Sequence, residues 1–159
     1  MPRLNRPKDN SGQEYYFYEK LNTERIKIIQ EVKYKRLQEP NKRHTVYDYP
    51  ACIAACSNEK NNIRKVYISR SAKCTTDFYD SCSLKQPINK LGRVGSRIKT
   101  RGRSCNSRIG YCAEIHAARK IILDTGICKN KIKFSKVIRP RTSKIISPCQ
   151  ICKSIFPQL

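Results

Sequence analysis

The chain has 159 residues, a length that ordinarily folds as one domain with a modest core. It carries 34 Lys and Arg against 12 Asp and Glu, which gives a formal net charge of +22. No run of about 18 apolar residues is present, so we expect no transmembrane span. Residues 1–10 lack the apolar centre of a signal peptide, so any export would use another route, including delivery within a longer polypeptide. We expect residues 1–10 to be a flexible arm and residues 11–159 to be a single domain.

The charge is unevenly distributed along the chain. Residues 1–50 hold 11 basic and 7 acidic residues, whereas the rest of the chain holds 23 and 5, so the excess rises from +4 to +18. Such an excess costs self-repulsion in the folded state and is typical of a protein with a polyanionic partner. We therefore expect nucleic acid as the partner. A generic solubilising surface and attraction to a membrane surface are the alternatives.

The first helix is predicted near the N-terminus. Ser11 and Glu14 have the spacing of a capping box, and Pro40 disfavours the helical state of the residue before it, so a helix is expected over residues 11–39. Its apolar side chains fit one helical face: Tyr18, Leu21, Ile28, Ile29 and Val32.

A β-hairpin and a long basic stretch are predicted next. Residues 51–68 contain a small apolar run, a polar turn and a second strand-like run, which predicts a hairpin with one largely buried strand. Residues 69–107 follow as an irregular stretch, with seven Lys and Arg between Lys85 and Arg103. A connection of this length is usually functional or mobile, so it predicts either a substrate-facing loop or a disordered basic insertion.

The last third of the chain predicts a helix, a strand and a second helix. The helix runs from Ala113 to Leu123, with Gly126 placed to end it. Residues 134–138 are strand-like. Ser147 as N-cap and Pro148 at the first helical position predict the start of the final helix.

The chain has nine cysteines, an odd number that fits a reducing compartment better than a fully disulfide-paired scaffold. Cys149 and Cys152 lie three apart at the start of a predicted helix, so both sulfurs face one side, where free amides stabilise thiolates. Cys112 precedes the other helix and supplies a third ligand for zinc, which prefers sulfur and nitrogen donors. The other six are expected to be small buried apolar residues: Cys52, Cys56, Cys74, Cys82, Cys105 and Cys128.

Glu114, two residues after Cys112, is the candidate catalytic residue. A carboxylate beside a zinc site can act as a general acid and base, and two or three cysteines with a nearby Glu that is not a ligand are typical of zinc-dependent nucleobase deaminases. The alternatives are a structural zinc site, with a fourth ligand from His116, Cys105 or Cys128, and no zinc at all. We expect His116 to pack or hydrogen-bond near the site.

The runs Tyr-Cys-Ala-Glu at 111–114 and Pro-Cys-Gln-Ile-Cys at 148–152, in this order and separated by a strand, carry a resemblance to a known family. Over about residues 45–159 the chain resembles the nucleic-acid/cytidine deaminase superfamily, and within it most closely the deaminase domains of bacterial polymorphic toxins. The resemblance implies an α/β fold, a three-layer α/β/α deaminase-like sandwich with a short mixed sheet. Because seven residues follow Cys152, its strands β4 and β5 are expected to be reduced or missing.

The resemblance also implies a function. It is the hydrolytic deamination of cytosine in DNA or RNA, on a single strand or a flipped-out base, with Zn²⁺ as cofactor and Glu114 as catalytic residue. A secreted bacterial toxin effector would be delivered by a secretion system, act in the cytoplasm of a target cell and be silenced by an acidic immunity protein. The alternatives are a nucleic-acid-binding module with a structural zinc site and, less favoured because residues 69–76 lack a ribose-gripping motif, a free nucleoside or nucleotide deaminase.

Substrate contacts are expected from the basic stretch beside the site. Phosphates are expected to be held by Arg93, Arg97, Lys99, Arg101, Arg103 and Arg108, and on the other side of the metal by Lys129, Lys131, Lys133, Lys136, Arg139 and Arg141. Phe78 or Tyr79 is expected to stack on an exposed base.

Overall fold

The computed structural model of the protein describes residues 3–8, 12–58, 65–100 and 103–159, which form a mixed α/β structure. The α-helices are α1 (Gln13–Gln38), α2 (Lys85–Leu91), α3 (Ala113–Thr125) and α4 (Gln150–Ile155). The strands are β1 (Ile53–Asn58), β2 (Tyr67–Arg70), β3 (Arg97–Thr100), β4 (Arg103–Arg108), β5 (Ile132–Phe134), β6 (Val137–Ile138) and β7 (Ile145–Ile146). None of the helices in this part of the chain combines the length and apolarity needed to span a membrane.

The main sheet is antiparallel throughout its described strands, whereas a mixed sheet was predicted. Its order is β2-β1-β6-β7, with β5 also paired to β1. The hairpin makes β2 antiparallel to β1. The chain then returns through α3, so the next strand runs in the direction of β2 but pairs with the far side of β1. Strands that run in the same direction, such as β2 and β6, are therefore never neighbours in the main sheet.

A bulge divides the strand that was predicted over residues 134–138. Phe134 pairs with Cys56 but Ile138 pairs with Ile53, so the register shifts by one residue between them. At the shift, the Ser135 amide donates to the Ala55 carbonyl (2.8 Å) and the Ala55 amide donates to the Ser135 hydroxyl (2.9 Å). The Ser135 hydroxyl therefore replaces the backbone acceptor that the ladder loses at the bulge. The buried amide of Ala55 keeps a hydrogen-bond partner as a result.

Helix α1 confirms the predicted N-terminal helix almost to its ends. Its N-cap is Gly12, and the predicted cap Ser11 lies outside the described residues. The buried face contains Phe17 where Tyr18 was expected. Phe17 lies one helical turn from Leu21 and has no hydroxyl to keep in water, so its burial costs less. The apolar members of this face are Phe17, Leu21, Ile28, Ile29 and Val32.

Two arginines fix α1 on the sheet. Arg25 is buried, and its Nε donates to the Pro140 carbonyl in the turn between β6 and β7 (2.9 Å). Arg70, at the end of β2, pairs with Glu24 (2.5 Å) and Glu31 (2.6 Å), which lie two turns apart on the same side of α1. The helix is thus held at both edges of the sheet that it covers. In the segment before the helix, Leu4 also packs against the apolar cluster between α1 and the sheet.

Alternate side chains of β1 enter two different apolar layers. Ile53 and Ala55 pack against α1, whereas Cys56 belongs to the cluster formed with α3 and α4. Helices therefore cover both faces of the central strand. Helix α3 ends at Gly126, which has the left-handed conformation (φ +67°) that the sequence predicted for the helix end.

The stretch 69–107, expected to be irregular, contains regular structure. Helix α2 buries Ile88, and the ribbon formed by β3 and β4 (the basic ribbon) is antiparallel, with Arg97 opposite Arg108. The polar composition of the ribbon hid its strands, because neither strand has an apolar face that would produce an alternating pattern. The predicted loop is therefore a helix and a β-ribbon.

Candidate metal centre

Three cysteine side chains from two segments of the chain meet at one point. The sulfur atoms of Cys112, Cys149 and Cys152 all lie within 4.8 Å of one another, and those of Cys112 and Cys149 are 3.4 Å apart. Sulfurs bound tetrahedrally to zinc at about 2.3 Å are separated by about 3.8 Å, so this spacing suits a metal ion that small shifts would accommodate. The group can hold a metal ion, as predicted from the motif spacing.

Each of these cysteines lies at the start of a helix. Cys112 is the N-cap of α3, Cys149 is the N-cap of α4, and Cys152 lies in the first turn of α4. The helix was expected to begin at Pro148, but Pro148 precedes the cap. Free amides and the positive end of each helix dipole therefore point towards the sulfur cluster, where they favour thiolate over thiol.

Among the three thiols, Cys149 is the one whose charged form the other two stabilise. The pKa of Cys149 is lowered to about 2, first by hydrogen bonds from the thiols of Cys112 and Cys152 and further by the Cys152 amide and the Ser107 hydroxyl. The pKa of Cys112 is raised first by its bond to Cys149, and that of Cys152 first by its bond to Cys112. A bound cation would replace the two remaining protons.

Glu114 lies beside this cluster and is almost wholly buried, at 3% exposure. Burial raises its pKa, and the negative charge on Cys149 raises it further. No described Lys or Arg forms an ion pair with it. A buried carboxyl without a cationic partner is suited to accepting and releasing a proton rather than to holding a fixed charge.

Two neighbours of Glu114 were not foreseen as part of the site. Cys52, just before β1, is buried as expected, but its pKa is raised to about 11 by burial and then by the charge of Glu114, so it adjoins the carboxyl. Its amide donates to the Ser71 hydroxyl (3.1 Å), which follows β2. In the sequence, Cys52 and Ser71 are marked only by their position, because both lie at the end of the hairpin that faces the start of α3.

His116 packs and hydrogen-bonds near the site, as expected, and is not part of the cysteine group. Its Nε2 lies 2.8 Å from the Gly110 carbonyl oxygen. Of the other alternative ligands, Cys128 is exposed and outside the cluster, and Cys105 lies outside the described side chains. Within the described residues the metal-ligating group therefore has three members.

The basic ribbon lies next to the cysteine cluster, because Ser107 of β4 contacts Cys149 at the start of α4. Arg93, Arg97 and Arg108 are exposed, and no described acidic residue forms an ion pair with any of them. Arg101 and the side chains of Lys99 and Arg103 lie outside the described part. Three of the predicted phosphate-binding residues are thus exposed and without an acidic partner among the described residues, and Arg97 and Arg108 lie on the ribbon that contacts Cys149 through Ser107.

The two aromatic residues expected to stack on a base are engaged elsewhere. Tyr79 is 1% exposed, and its hydroxyl donates to the Gly110 carbonyl, so burial removes its ring from any ligand. Phe78 is half-buried, with the Arg119 guanidinium 4.1 Å from its ring centroid and the His116 ring at 4.9 Å. The ring of Tyr79 is therefore buried, and Phe78 already has ring partners.

The chain matches no protein-family model, no curated protein and no solved structure.

Proposed function

We propose that the chain is a zinc-dependent hydrolytic deaminase that converts cytosine to uracil in nucleic acid. The observation that carries the proposal is the meeting of three thiols at the N-termini of α3 and α4 with the buried carboxyl of Glu114. The element order of helix, hairpin, helix, strand and helix, with helices on both faces of β1, supports a three-layer deaminase-like sandwich whose later strands are reduced.

The number of ligands favours a catalytic site over a structural one. A structural zinc site is normally closed by four protein ligands, whereas a catalytic site keeps one position open. The described residues offer three, and the nearest histidine is bound to a backbone carbonyl. A nucleic-acid-binding module with a structural zinc site therefore accounts less well for the arrangement.

The chemistry assigned to Glu114 is proton transfer. Zinc held by the three thiolates would supply a Lewis acid that makes the attacking water more acidic. Glu114 accepts a proton from that water and delivers it to ring N3 of cytosine, then takes the proton of the new C4 hydroxyl and passes it to the departing amino group. A C4–O bond forms, the C4–N4 bond breaks, and ammonia leaves. Burial keeps the carboxyl basic enough to accept the proton, because the charged form is poorly solvated.

A polynucleotide substrate explains the net positive charge of the chain, which binding a neutral nucleoside would not require. The excess of +18 lies in the part of the chain that contains the site, and the basic ribbon, which carries the exposed Arg97 and Arg108, contacts Cys149 through Ser107. A nucleic-acid strand whose phosphates bind the ribbon would have a base near Glu114. That base must leave its stack to react. We favour a single strand or a flipped-out base for this reason.

A toxin function accounts for why a cell would make such an enzyme. Editing the host's own nucleic acid is harmful, so we propose a secreted effector that acts in the cytoplasm of a target cell and an acidic immunity protein that covers the basic surface. Co-expression tests this directly. Induction in bacteria should arrest growth for the native chain and not for Glu114→Gln, whereas harmless high-level expression of active protein without a companion contradicts the toxin function alone.

The deaminase itself is tested with zinc-loaded protein and four substrates: single-stranded DNA, RNA, duplex DNA and free cytidine. We expect uracil in a polynucleotide, and a loss of at least about a hundredfold in rate for Glu114→Gln with zinc content unchanged. Uridine formed from cytidine, with no uracil in any polynucleotide, supports a nucleoside enzyme. Binding of nucleic acid with bound zinc and no uracil in any substrate supports the structural-zinc alternative.

A further inference from the structure

One backbone carbonyl just before the metal centre accepts hydrogen bonds from three side chains. The Gly110 oxygen is approached by the Tyr79 hydroxyl, by His116 Nε2 at 2.8 Å and by Cys74 Sγ at 3.2 Å. These donors come from a 3₁₀ turn, from α3 and from the loop after β2. A carbonyl oxygen has two lone pairs, so three donors on one oxygen is a strong local constraint.

The donor on the histidine is fixed by chemistry and by packing. A carbonyl only accepts, so Nε2 must carry the hydrogen. Burial lowers the pKa of His116, and the nearby Lys120 and Arg119 lower it further, so the ring is neutral with its proton on Nε2. Phe78 packs on this ring (4.9 Å between centroids), and Arg119 holds Phe78 through its carbonyl (2.5 Å).

The carbonyl belongs to a turn that leads directly to a metal ligand. Gly110 has φ +82°, and a Cβ there would lie 3.1 Å from the Tyr79 ring and 3.2 Å from the Val94 side chain. After it, the Tyr111 carbonyl accepts from the Ala72 amide at 3.1 Å, and Cys112 begins α3. The backbone before Cys112 is thus held at two successive carbonyls.

We propose that His116 and Tyr79 are positioning residues, which place the Cys112 thiolate for the metal by fixing the Gly110 carbonyl. This inference rests on the metal centre of the proposed function and not on its substrate. Hydrogen-bonding groups outside the ligand shell commonly change metal affinity by about 10- to 100-fold when they are removed. Here the effect passes through the main chain, because both side chains hydrogen-bond to the Gly110 carbonyl.

The test measures Co²⁺ binding by absorbance and Zn²⁺ affinity by competition with a chelator, on full-length reduced protein. His116→Leu removes the donor, His116→Gln retains an N–H at a similar reach, and Tyr79→Phe removes only the hydroxyl. We expect His116→Leu to weaken Zn²⁺ binding about tenfold or more and to alter the thiolate-to-cobalt band. His116→Gln should recover most of the affinity, and Tyr79→Phe should show an intermediate loss.

The matched control is Ser135→Ala, which removes another buried hydrogen bond, to the Ala55 amide on the sheet. It should lower thermal stability and leave metal affinity unchanged. Native Zn²⁺ affinity and cobalt spectra in both His116→Leu and Tyr79→Phe, with stability alone reduced, would overturn the inference. A native chain that binds no metal overturns the metal centre as well, whereas a native chain that binds metal without deaminating cytosine leaves this inference standing.

Discussion

The sulfur atoms of Cys112 and Cys149 lie 3.4 Å apart although 37 positions separate the two residues in the chain. Each caps a different helix, and the two helix starts face a common point. Both the sulfur donors and the amides that stabilise their charge therefore converge there. This relationship makes the centre a junction between α3 and α4.

The first prediction concerns metal content. Protein purified under reducing conditions should contain one zinc per chain by elemental analysis, and Cys112→Ser, Cys149→Ser and Cys152→Ser should each lose most of it. Cys128→Ser is the control, because Cys128 is exposed and outside the cluster. Zinc retained in all three variants would contradict the assignment. Two zinc ions per chain would point to a further site.

The second prediction compares two glycines with left-handed backbones. Gly110 has φ +82° and close neighbours, whereas Gly126 has φ +67° and no atom within 4 Å of an added Cβ. Gly126→Ala should cost about 1 kcal/mol of unfolding free energy from backbone strain alone and leave zinc affinity unchanged. Gly110→Ala adds a steric conflict beside the metal loop, so it should cost more and weaken zinc binding. Equal effects on stability and zinc affinity would contradict the expected role of Gly110.

The third prediction concerns the basic ribbon. Replacing Arg93, Arg97 and Arg108 with Gln should weaken binding to single-stranded nucleic acid and reduce its salt dependence, by about 0.7 in the log–log slope for each phosphate that is no longer neutralised. Zinc content should not change. A control with the same charge change is Gln at the exposed Lys20, Lys33 and Lys35 of α1. If both triple variants bind equally well, the ribbon is not the substrate surface.

The fourth prediction concerns pH. The pKa of Glu31 lies below its ordinary value of 4.5, first because Arg70 donates a hydrogen bond to it. A lowered pKa in the folded state adds stability above that ordinary value, and the gain is lost as the pH falls through the lowered value. Arg70→Gln should therefore reduce the free energy of unfolding near neutral pH, on the order of 1 kcal/mol, and the difference from the native chain should shrink below about pH 4.

The control for the Arg70 experiment is Lys85→Gln. Lys85 pairs with Asp80, and both side chains are about half exposed, so solvent screens the pair and little stability should be lost at any pH. Chemical denaturation at several pH values measures both variants. A constant difference between Arg70→Gln and the native chain down to pH 3 would mean that the contribution of Arg70 is not ionic.

The sequence predicted those parts of the fold that depend on local signals. The apolar face of α1, the buried strand β1, the helix end at Gly126 and the convergence of Cys112, Cys149 and Cys152 all follow from spacing and turn chemistry. Capping positions are local too, but at Pro148 two overlapping signals competed. The helix begins two residues later than expected, at Gln150, with Cys149 as its N-cap.

What the sequence did not predict depends on contacts between distant residues. The basic ribbon has no apolar face, so its strands become visible only through the pairing of Arg97 with Arg108. The burial of Tyr79 follows from the position of the Gly110 carbonyl, which is 31 residues away in the chain. The bulge at Ser135 likewise depends on Ala55, which lies on the neighbouring strand β1. These contacts join residues that are far apart in the chain, and the composition of a segment does not reveal them.

The central position of β1 has a consequence for shortened chains. One side of β1 is paired by β2, which follows it directly, but the other is paired only by residues 132–138. A fragment that ends before Ile132 would leave six residues of strand, five of them buried in the full chain, with an open row of amides and carbonyls. Such a row is a template for joining another chain edge to edge. Fragments of this kind should therefore precipitate where the full chain stays dissolved.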